Sequence, residues 1–326
     1  MTATRAPLDA TRWHLHHGPI DLIIGADGDA AAVRAAHEAC WERFTTLLDE
    51  LVAELPKLRQ PVPRDASSGP CEGEVARRMW AACYPHRTRY ITPMAAVAGS
   101  VADELIAAFA RPGVERAFIN NGGDIALYLG EGQHYRIGVF TDLAEYDGAG
   151  LANGLNSGVN EGLKLDANLT LDAASPVRGI ATSGWRGRSF SLGIADSVTV
   201  LARSAAAADA AATMIANAVD LKHADIVRQP ASSLKDDSDL GDLLVTVDVP
   251  PLPQPLVDFA LACGAEEASR LHAQGLIEGA ALFLQRRVRV VGMTGLRAPP
   301  PAGSGLRVTD NTQYPTEAPC SKYAAC

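Results

Sequence analysis

The chain lacks the short motifs that mark several common enzyme classes. It contains no P-loop, no G-x-G-x-x-G, no G-x-S-x-G and no H-E-x-x-H pattern, so a serine or zinc hydrolase is poorly supported. None of its six cysteines forms a C-x-x-C pair. We therefore expect free thiols rather than a disulfide framework, with Cys71 and Cys83 near loops as the candidates for reactivity.

Long apolar runs and an excess of positive charge are also missing. No stretch of the 326 residues is long and apolar enough to span a bilayer, and the first residues lack the apolar core of a signal peptide. Lys and Arg number 29 against 38 Asp and Glu, which gives a net charge of -9. We expect a cytoplasmic protein that binds neither nucleic acid nor a membrane, although this balance does not exclude a local basic pocket.

The sequence does contain regular helix and strand patterns. Apolar residues recur at helical spacing in four segments, 30–58, 92–110, 204–221 and 255–273. Strand patterns lie at 114–119, 124–129, 135–140, 178–182, 188–194, 197–202, 243–249 and 281–291. In the second helix, Thr92 can cap the start, and small residues around Gly99 allow close packing against a neighbour. We expect a domain over residues 1–292, a Gly/Asn-rich loop at 147–163, and a disordered tail at 293–326 that holds Cys320 and Cys326.

The stretch "FINNGGDIALYLG", residues 118–130, sets asparagine, glycine and aspartate against an apolar run. Glycine leaves backbone N–H groups free to face an anion. A phosphate or cofactor loop would therefore be formed by Asn120, Asn121, Gly122, Gly123 and Asp124. Asparagine followed by glycine is also a strong signal for a plain β-hairpin turn, and this motif by itself favours the hairpin.

The alanine-rich segment 204–221 carries a second polar pattern. Asp209, Thr213 and Asn217 recur every four residues, so they share one helix face. A carboxylate and a hydroxyl one turn apart suit Mg²⁺, which takes one or two protein carboxylates and fills its other positions with water and phosphate oxygens. The alternative is a buried polar stripe in which Thr213 bonds back to the carbonyl four residues earlier.

Two further groups of polar residues are candidates for binding. Arg186 and Arg188 alternate after "TSGW", and on a strand both would face the same side. Guanidinium groups there can clamp phosphates or carboxylates, and an exposed strand face is the alternative. His14 and His16 have no third ligand placed by the sequence, so we predict no metal site there.

Four segments resemble, in order and spacing, the UPF0280 family. They are "PMAAVAGSVAD", "NNGGDIAL", "RGIATSGWRGRSFSLGIADSVTVLA" and "AADAAATMIANAVD". This family is part of the ApbE-like superfamily, whose best-known members are FAD:protein FMN transferases. The resemblance covers nearly everything but the tail, and it implies an α+β fold of the ApbE-like kind, with helices on an antiparallel-rich sheet. It also implies Mg²⁺, FAD or a related flavin nucleotide as ligand, and a target flavoprotein.

The resemblance implies roles for particular residues. Asn121 to Asp124 match an N-x-G-G segment that helps to form the flavin pocket. An A-T-S-G segment beside that pocket is matched by Thr182, Ser183 and Gly184. Asp209 and Thr213 match a helix whose Asp and Thr are metal ligands. Asn120 and Arg186 complete the set of ligand-binding candidates.

Three departures from the transferases put their chemistry in doubt. An M-G-T segment near their start is replaced by "GPIDLII", and Ala98 stands where they carry a lysine before Gly99. The connection "SFSLGIADSVTV" is too short for their histidine-containing loop, and it keeps Asp196 as its only ionisable group. A chain without these residues can bind a nucleotide and yet not perform the same reaction.

Three functions therefore stay open. The first is a divergent Mg²⁺-dependent flavin-nucleotide enzyme, with Asp209 and Thr213 on the metal. The second is a non-catalytic nucleotide- or cofactor-binding or assembly protein, and the third is sulfur transfer through Cys71 or Cys83. The partners expected are a small phosphorylated ligand, a target flavoprotein for the enzyme, and a second copy of the chain if it forms a homo-oligomer.

Overall fold

A nine-stranded sheet forms the centre of the fold in the computed structural model, which describes residues 2–139 and 167–293. Its strands in spatial order are β1 (Thr4–Pro7), β2 (Arg12–His17), β3 (Ile20–Gly28), β4 (Val114–Asn121), β5 (Asp124–Leu129), β8 (Gly179–Ser183), β9 (Ser197–Ala202), β12 (Gly279–Leu284) and β13 (Arg287–Val291). Every neighbouring pair in this sheet runs antiparallel. Two separate antiparallel ribbons pair β6 (His134–Val139) with β7 (Ala167–Asp172), and β10 (Val227–Pro230) with β11 (Leu244–Asp248).

Helices cover one face of the sheet. They are α1 (Ala30–Leu58), α2 (Glu74–Cys83), α3 (Val97–Ile106), α4 (Ala205–Ala218) and α6 (Gln254–Ala273), whereas the single turn α5 (Ala231–Leu234) contacts the β10 ribbon strand. One apolar core joins α1, α2 and α3 to β2–β5, and a second joins α4 and α6 to β8, β9 and β12. Because strand side chains alternate, Ala126 of β5 faces the helices while Leu127 packs on the other side with the β6–β7 ribbon.

The contact between α3 and α4 brings the two halves of the helical layer together. Ser204 caps α4 by accepting the N–H of Ala207 at 3.2 Å, and the alanines that follow favour the helix and offer little bulk. A Cβ built on Gly99 of α3 would lie 2.2 Å from the carbonyl oxygen of Ala205. The expectation that small residues let this helix pack very close to a neighbour is therefore confirmed.

The predicted α+β architecture with an antiparallel-rich sheet is confirmed, and several segments match closely. The helix predicted at 30–58 and the strand predicted at 197–202 have those bounds in the structure. The predicted strand at 188–194 is wrong, because residues 184–196 cross from β8 to β9 in turns and bends. The N–H of Ile194, for example, donates to the carbonyl oxygen of Val219 at 2.8 Å and not to a neighbouring strand.

Other departures have similarly local causes. The single strand predicted at 281–291 is a hairpin, whose turn uses positive φ at Gln285 and Arg286 without the usual glycine signal. Helix α2 was not predicted. Thr92 stands at the N-cap position of the 3₁₀ turn Pro93–Ala96, as predicted, but its side chain makes no capping bond because its hydroxyl donates to the carboxylate of Asp239.

Some predictions concern residues that the structure does not describe. The loop at 147–163 and the cysteines at 320 and 326 lie outside the described residues, and so does the tail apart from Met293. The domain boundary at 292 stays a prediction. Within the described ranges, no helix is both long and apolar enough to cross a membrane.

Candidate functional site

The "NNGGD" motif forms a two-residue hairpin turn between β4 and β5. Gly122 and Gly123 have φ values of +66° and +114°, and Asn121 pairs with Asp124 across the turn. The N–H of Gly123 donates to Oδ1 of Asn120 at 2.8 Å. Positive φ at both positions explains why glycine occupies them. The hairpin interpretation is thus correct for the backbone. Whether the turn also binds a ligand depends on the polar side chains around it.

Two carboxylates, of Asp124 and Asp209, meet beside this turn. Oδ1 of Asp124 accepts the N–H of Thr182 at 3.2 Å, and Oδ2 of Asp209 accepts the N–H of Gly99 at 3.0 Å. Burial raises the pKa of Asp124 to about 7. Burial, reinforced by the charge of Asp124, holds the pKa of Asp209 well above its usual range. The protein therefore keeps two acidic groups close enough to repel each other.

The first turn of α3 joins this carboxylate pair to the hairpin. The side-chain amide of the buried Asn121 donates to the carbonyl oxygen of Ala98 at 3.1 Å, and the next residue, Gly99, donates its N–H to Asp209. The contact is reciprocal, because Asp103 of α3 accepts the N–H groups of Ala205 and Ala206 at 2.9 and 2.8 Å. Asp103 was missed from the sequence, although its position one turn after Gly99 places it on the same helix face.

The segment from Thr182 to Gly184 lies next to the hairpin, as its N–H bond to Asp124 requires. The hydroxyl of Thr182 exchanges a hydrogen bond with that of Thr199 at 2.9 Å, and Ser183 ends β8. Gly184 has φ of +155°, and a Cβ there would lie 2.5 Å from the carbonyl oxygen of Asp196. Glycine is therefore required at this corner, where the chain leaves the sheet.

The two arginines after "TSGW" have different surroundings and do not share a strand face. Nε of Arg186 donates to Oδ1 of Asp196 at 2.9 Å. The guanidinium of Arg188 instead lies against the hairpin, so that a Cβ on Gly122 would be 1.6 Å from its Nη2. Asp196 also accepts the indole N–H of Trp185 and the backbone N–H of Gln285. Arg186 is thus held in a structural ion pair, and Arg188 reaches the candidate site.

The polar stripe on α4 divides in the same way. Asn217 accepts the N–H of Leu192 at 2.9 Å and the hydroxyl of Ser191 at 3.3 Å, so it anchors the β8–β9 connection. The hydroxyl of Thr213 forms no hydrogen bond within the part of the chain that the structure describes, so the alternative bond back to the carbonyl of Asp209 is not made. Asp209 and Thr213, one turn apart on α4, therefore stay the candidate metal ligands.

A divalent cation such as Mg²⁺ fits the donors at this junction. Two carboxylates and a hydroxyl are hard oxygen ligands, and Mg²⁺ needs only one or two protein carboxylates. In residues 2–139 and 167–293 no group of three or more His, Cys, Asp and Glu side chains is suited to hold a metal. A cation held here would complete its coordination shell with water or ligand oxygens.

The cysteines are poorly placed for chemistry. Cys83 is fully buried, and Sγ donates to the carbonyl oxygen of Thr92 at 3.3 Å. Burial and the charges of Asp209 and Asp239 hold the pKa of Cys83 well above its usual range, and burial raises the pKa of Cys71. Both shifts oppose thiolate formation. The expectation of free thiols is met by Cys40, Cys71 and Cys83 but is wrong for Cys263, which is disulfide-bonded.

A separate cavity of about 440 Å³ lies past the end of α4, lined by residues between Asp220 and Arg228. It shares no residue with the carboxylate pair, the hairpin or the arginine beside it. The side chain of Arg228 within it is paired with Asp220. We therefore assign the candidate site to the α3–α4 junction and not to this cavity.

Comparison with known proteins gives a family match over most of the chain. The family model described as AbpE bacteria matches residues 4–290. A UPF0280 protein of Methanothrix thermoacetophila is 31% identical over 205 residues, which cover 57% of this chain and 72% of that protein. A UPF0280 protein of Methanopyrus kandleri is 33% identical over 228 residues, which cover 69% of this chain and 80% of that protein.

Two solved structures are distantly similar. The ApbE protein of Thermotoga maritima has 14% identity and a TM-score of 0.40, with 63% of this chain and 86% of that chain covered. The apo form of the flavinyl transferase ApbE of Pseudomonas stutzeri has 14% identity and a TM-score of 0.35, with 89% and 94% covered. These TM-scores are low, so the family match rests on the sequence comparisons.

Proposed function

The chain belongs to the family described as AbpE bacteria and to the UPF0280 family, and from that premise we propose that it is a divergent Mg²⁺-dependent flavin-nucleotide enzyme with FMN-transferase-type chemistry. One observation carries the proposal. Asp124 and Asp209, each accepting a backbone N–H, lie close enough that the charge of Asp124 raises the pKa of Asp209, and the hydroxyl of Thr213, one turn further along α4, has no hydrogen-bond partner in the described chain. Such an arrangement costs stability, and strained polar groups of this kind are concentrated at functional sites.

Each part of the junction has a role in this proposal. Asp209 and Thr213, one turn apart on α4, would hold the cation, and Asp124 would face it from the start of β5. Bound Mg²⁺ supplies positive charge that balances the carboxylates and polarises a phosphoryl oxygen of the ligand. The hairpin at 120–124 and the segment at 182–184 would bind and orient the nucleotide. We extend the proposal to FAD as the ligand and to a flavoprotein as the acceptor, in the cytoplasm.

A second candidate function is a carrier that binds the nucleotide without cleaving it. It is favoured by the β8–β9 connection, residues 184–196, which contains no histidine. Its one carboxylate, Asp196, already accepts N–H groups from Arg186, Trp185 and Gln285. A carboxylate engaged in this way is a poor proton donor or acceptor for a bound substrate. A protein that binds the nucleotide without cleaving it would therefore be consistent with both the family relationship and the site.

Flavin fluorescence separates these two functions. Cleavage of FAD parts the flavin from the quenching adenine, so turnover raises the emission and releases AMP. We expect a rise with purified protein that requires Mg²⁺ and is lost in Asp209→Asn. The matched control is Asp103→Asn, which alters the other carboxylate of the α3–α4 contact and should keep the rise.

Each other result has a definite meaning. Saturable FAD binding without a rise would replace the enzyme by the carrier. Neither binding nor cleavage by the wild-type protein would remove flavin nucleotides as the ligand. A rise that persists in Asp209→Asn would show that the metal is held elsewhere.

A further inference from the structure

Beside the carboxylate pair, Arg188 is a cation whose hydrogen-bond donors are unused. Across residues 2–139 and 167–293, its guanidinium takes part in no hydrogen bond or ion pair. Arg186, two residues earlier, differs because it is bonded to Asp196 and lies 5.0 Å from the centre of the Trp185 ring. An arginine carries five N–H donors in a planar fork, so Arg188 presents a complete and uncommitted anion-binding group.

The guanidinium of Arg188 lies directly against the hairpin turn. A Cβ on Gly122 would lie 1.6 Å from Nη2 and 2.9 Å from Cζ of Arg188. Gly122 therefore has two roles. It adopts the φ of +66° that the turn requires, and its missing side chain leaves room for the guanidinium. Any other residue at this position would push the guanidinium off the turn.

The charge of Arg188 is felt at the site. It lowers the pKa of Asp124 and so opposes the rise that burial causes, although the two side chains form no ion pair. With both carboxylates ionised, a bound Mg²⁺ would bring the local charge to zero. The positive charge of Arg188 then gives the junction a net positive charge, which attracts an anion.

On the basis of the proposed function, we propose that Arg188 is the phosphate-binding residue of this site and makes it select phosphorylated ligands over unphosphorylated flavin. A guanidinium fork matches phosphate oxygens in pairs, and such charge-assisted hydrogen bonds are stronger than neutral ones. A flavin without phosphate offers it no anionic partner. The preference therefore depends on Arg188, and Gly122 maintains it.

The test compares FAD with riboflavin, which has the same ring system and no phosphate. Binding is followed by flavin fluorescence anisotropy in excess Mg²⁺, for the wild type, Arg188→Gln, Arg188→Lys and the control Arg34→Gln. Arg34 is an exposed arginine on α1, near the opposite end of β4 from the hairpin. We expect Arg188→Gln to weaken FAD binding about 10- to 100-fold, without changing riboflavin binding.

The other variants refine the same result. Arg188→Lys should recover part of the loss, because it keeps the charge and loses the fork. Gly122→Ala should weaken FAD binding in the same direction, since the added methyl group displaces the guanidinium. Thermal melting of every variant identifies any that fails to fold, and Arg34→Gln should bind both flavins as the wild type does.

Two results would overturn the inference and leave the proposed function standing. One is FAD binding by a folded Arg188→Gln protein that equals the wild type. The other is an equal loss of FAD and riboflavin binding, which indicates a role in shaping the site and not in phosphate recognition. If the wild-type protein binds no FAD, the inference and the proposed function fail together.

Discussion

The two carboxylates of the α3–α4 contact do the same structural work in different surroundings. Asp103 of α3 accepts N–H groups from the first turn of α4 through both oxygens, at 2.9 and 2.8 Å. Asp209 of α4 accepts the N–H of Gly99, in the first turn of α3, through one oxygen at 3.0 Å. Burial raises the pKa of both groups, but Arg78 opposes the shift at Asp103, whereas Asp124 increases it at Asp209.

This difference in electrostatic surroundings distinguishes a carboxylate that only stabilises the helix contact from one that can bind a cation. Helix N-termini attract carboxylates, so both positions are understandable as caps that stabilise the contact. At Asp209 the charge of Asp124 outweighs the smaller effect of Asp103, and together they make a negative charge there unfavourable until a cation binds. We therefore assign Asp103 to stability and Asp209 to ligand binding, and four experiments test this division.

The largest expected effect comes from removing the close approach on which both carboxylates depend. Gly99→Ala places a methyl group 2.2 Å from a backbone oxygen of α4. The clash is with backbone atoms, so it can be relieved only if α3 and α4 move apart. We expect the free energy of unfolding to fall by about 3 kcal/mol in a denaturant titration. Gly187→Ala is the control, because its nearest contact is 3.1 Å away on the exposed β8–β9 connection. Equal stability of the two variants would mean that α3 and α4 do not pack closely at Gly99.

The next effect separates the carboxylates by their response to Mg²⁺. After treatment with a chelator, Mg²⁺ at about 100 times its dissociation constant should stabilise the wild type by about 2.7 kcal/mol. Asp103→Asn should gain a similar amount, while Asp209→Asn should gain almost nothing. The measurement is denaturant unfolding of each variant with and without Mg²⁺. An equal gain in Asp209→Asn would assign the cation to another place.

Without metal, the two amide substitutions should change stability in opposite directions at pH 8. Asp103→Asn sets an NH₂ group against a backbone N–H and loses the charge of the cap, so we expect a loss of about 1–2 kcal/mol. Asp209→Asn keeps an oxygen for Gly99 and removes the repulsion with Asp124, so we expect a gain of about 1 kcal/mol. Denaturant midpoints of the chelator-treated proteins measure both, and a loss in both variants would make Asp209 an ordinary cap.

The smallest effect is the difference between the pH profiles of the wild type and Asp209→Asn. The pKa of Asp124, about 7, is raised above its usual value, so the folded protein holds a proton that the unfolded chain has released. The stability from this group is complete below pH 4 and is lost as the pH rises through 7, by at most about 1.4 kcal/mol per pH unit. The metal-free wild type should show this decline, and Asp209→Asn should show less of it. Parallel pH profiles would mean that the two carboxylates do not interact.

The residue types of the site could be identified from the sequence, but their partners could not. Glycine at 122 and 123 indicates a turn, because glycine adopts backbone conformations that other residues avoid. An aspartate one turn from a threonine predicts a helix face rich in oxygen atoms. Asp103 has no such signal, since it becomes informative only when the first turn of α4 is placed beside it. The sequence favoured Arg186 as the ligand-binding arginine, but in the fold Arg186 pairs with Asp196 and the guanidinium of Arg188 lies against the hairpin.

What the sequence determined by itself was local. The bounds of α1, the capped alanine helix, the hairpin and the alternating strands follow from spacing, caps and glycine, which act over a few residues. The tertiary structure decided which of these residues meet. The approach of α3 to α4 brings Asp209 to Gly99, and the order of β4, β5 and β8 brings Asp124 to Thr182. Burial and the repulsion between charges depend on those meetings, so the carboxylate pair exists only in the folded chain.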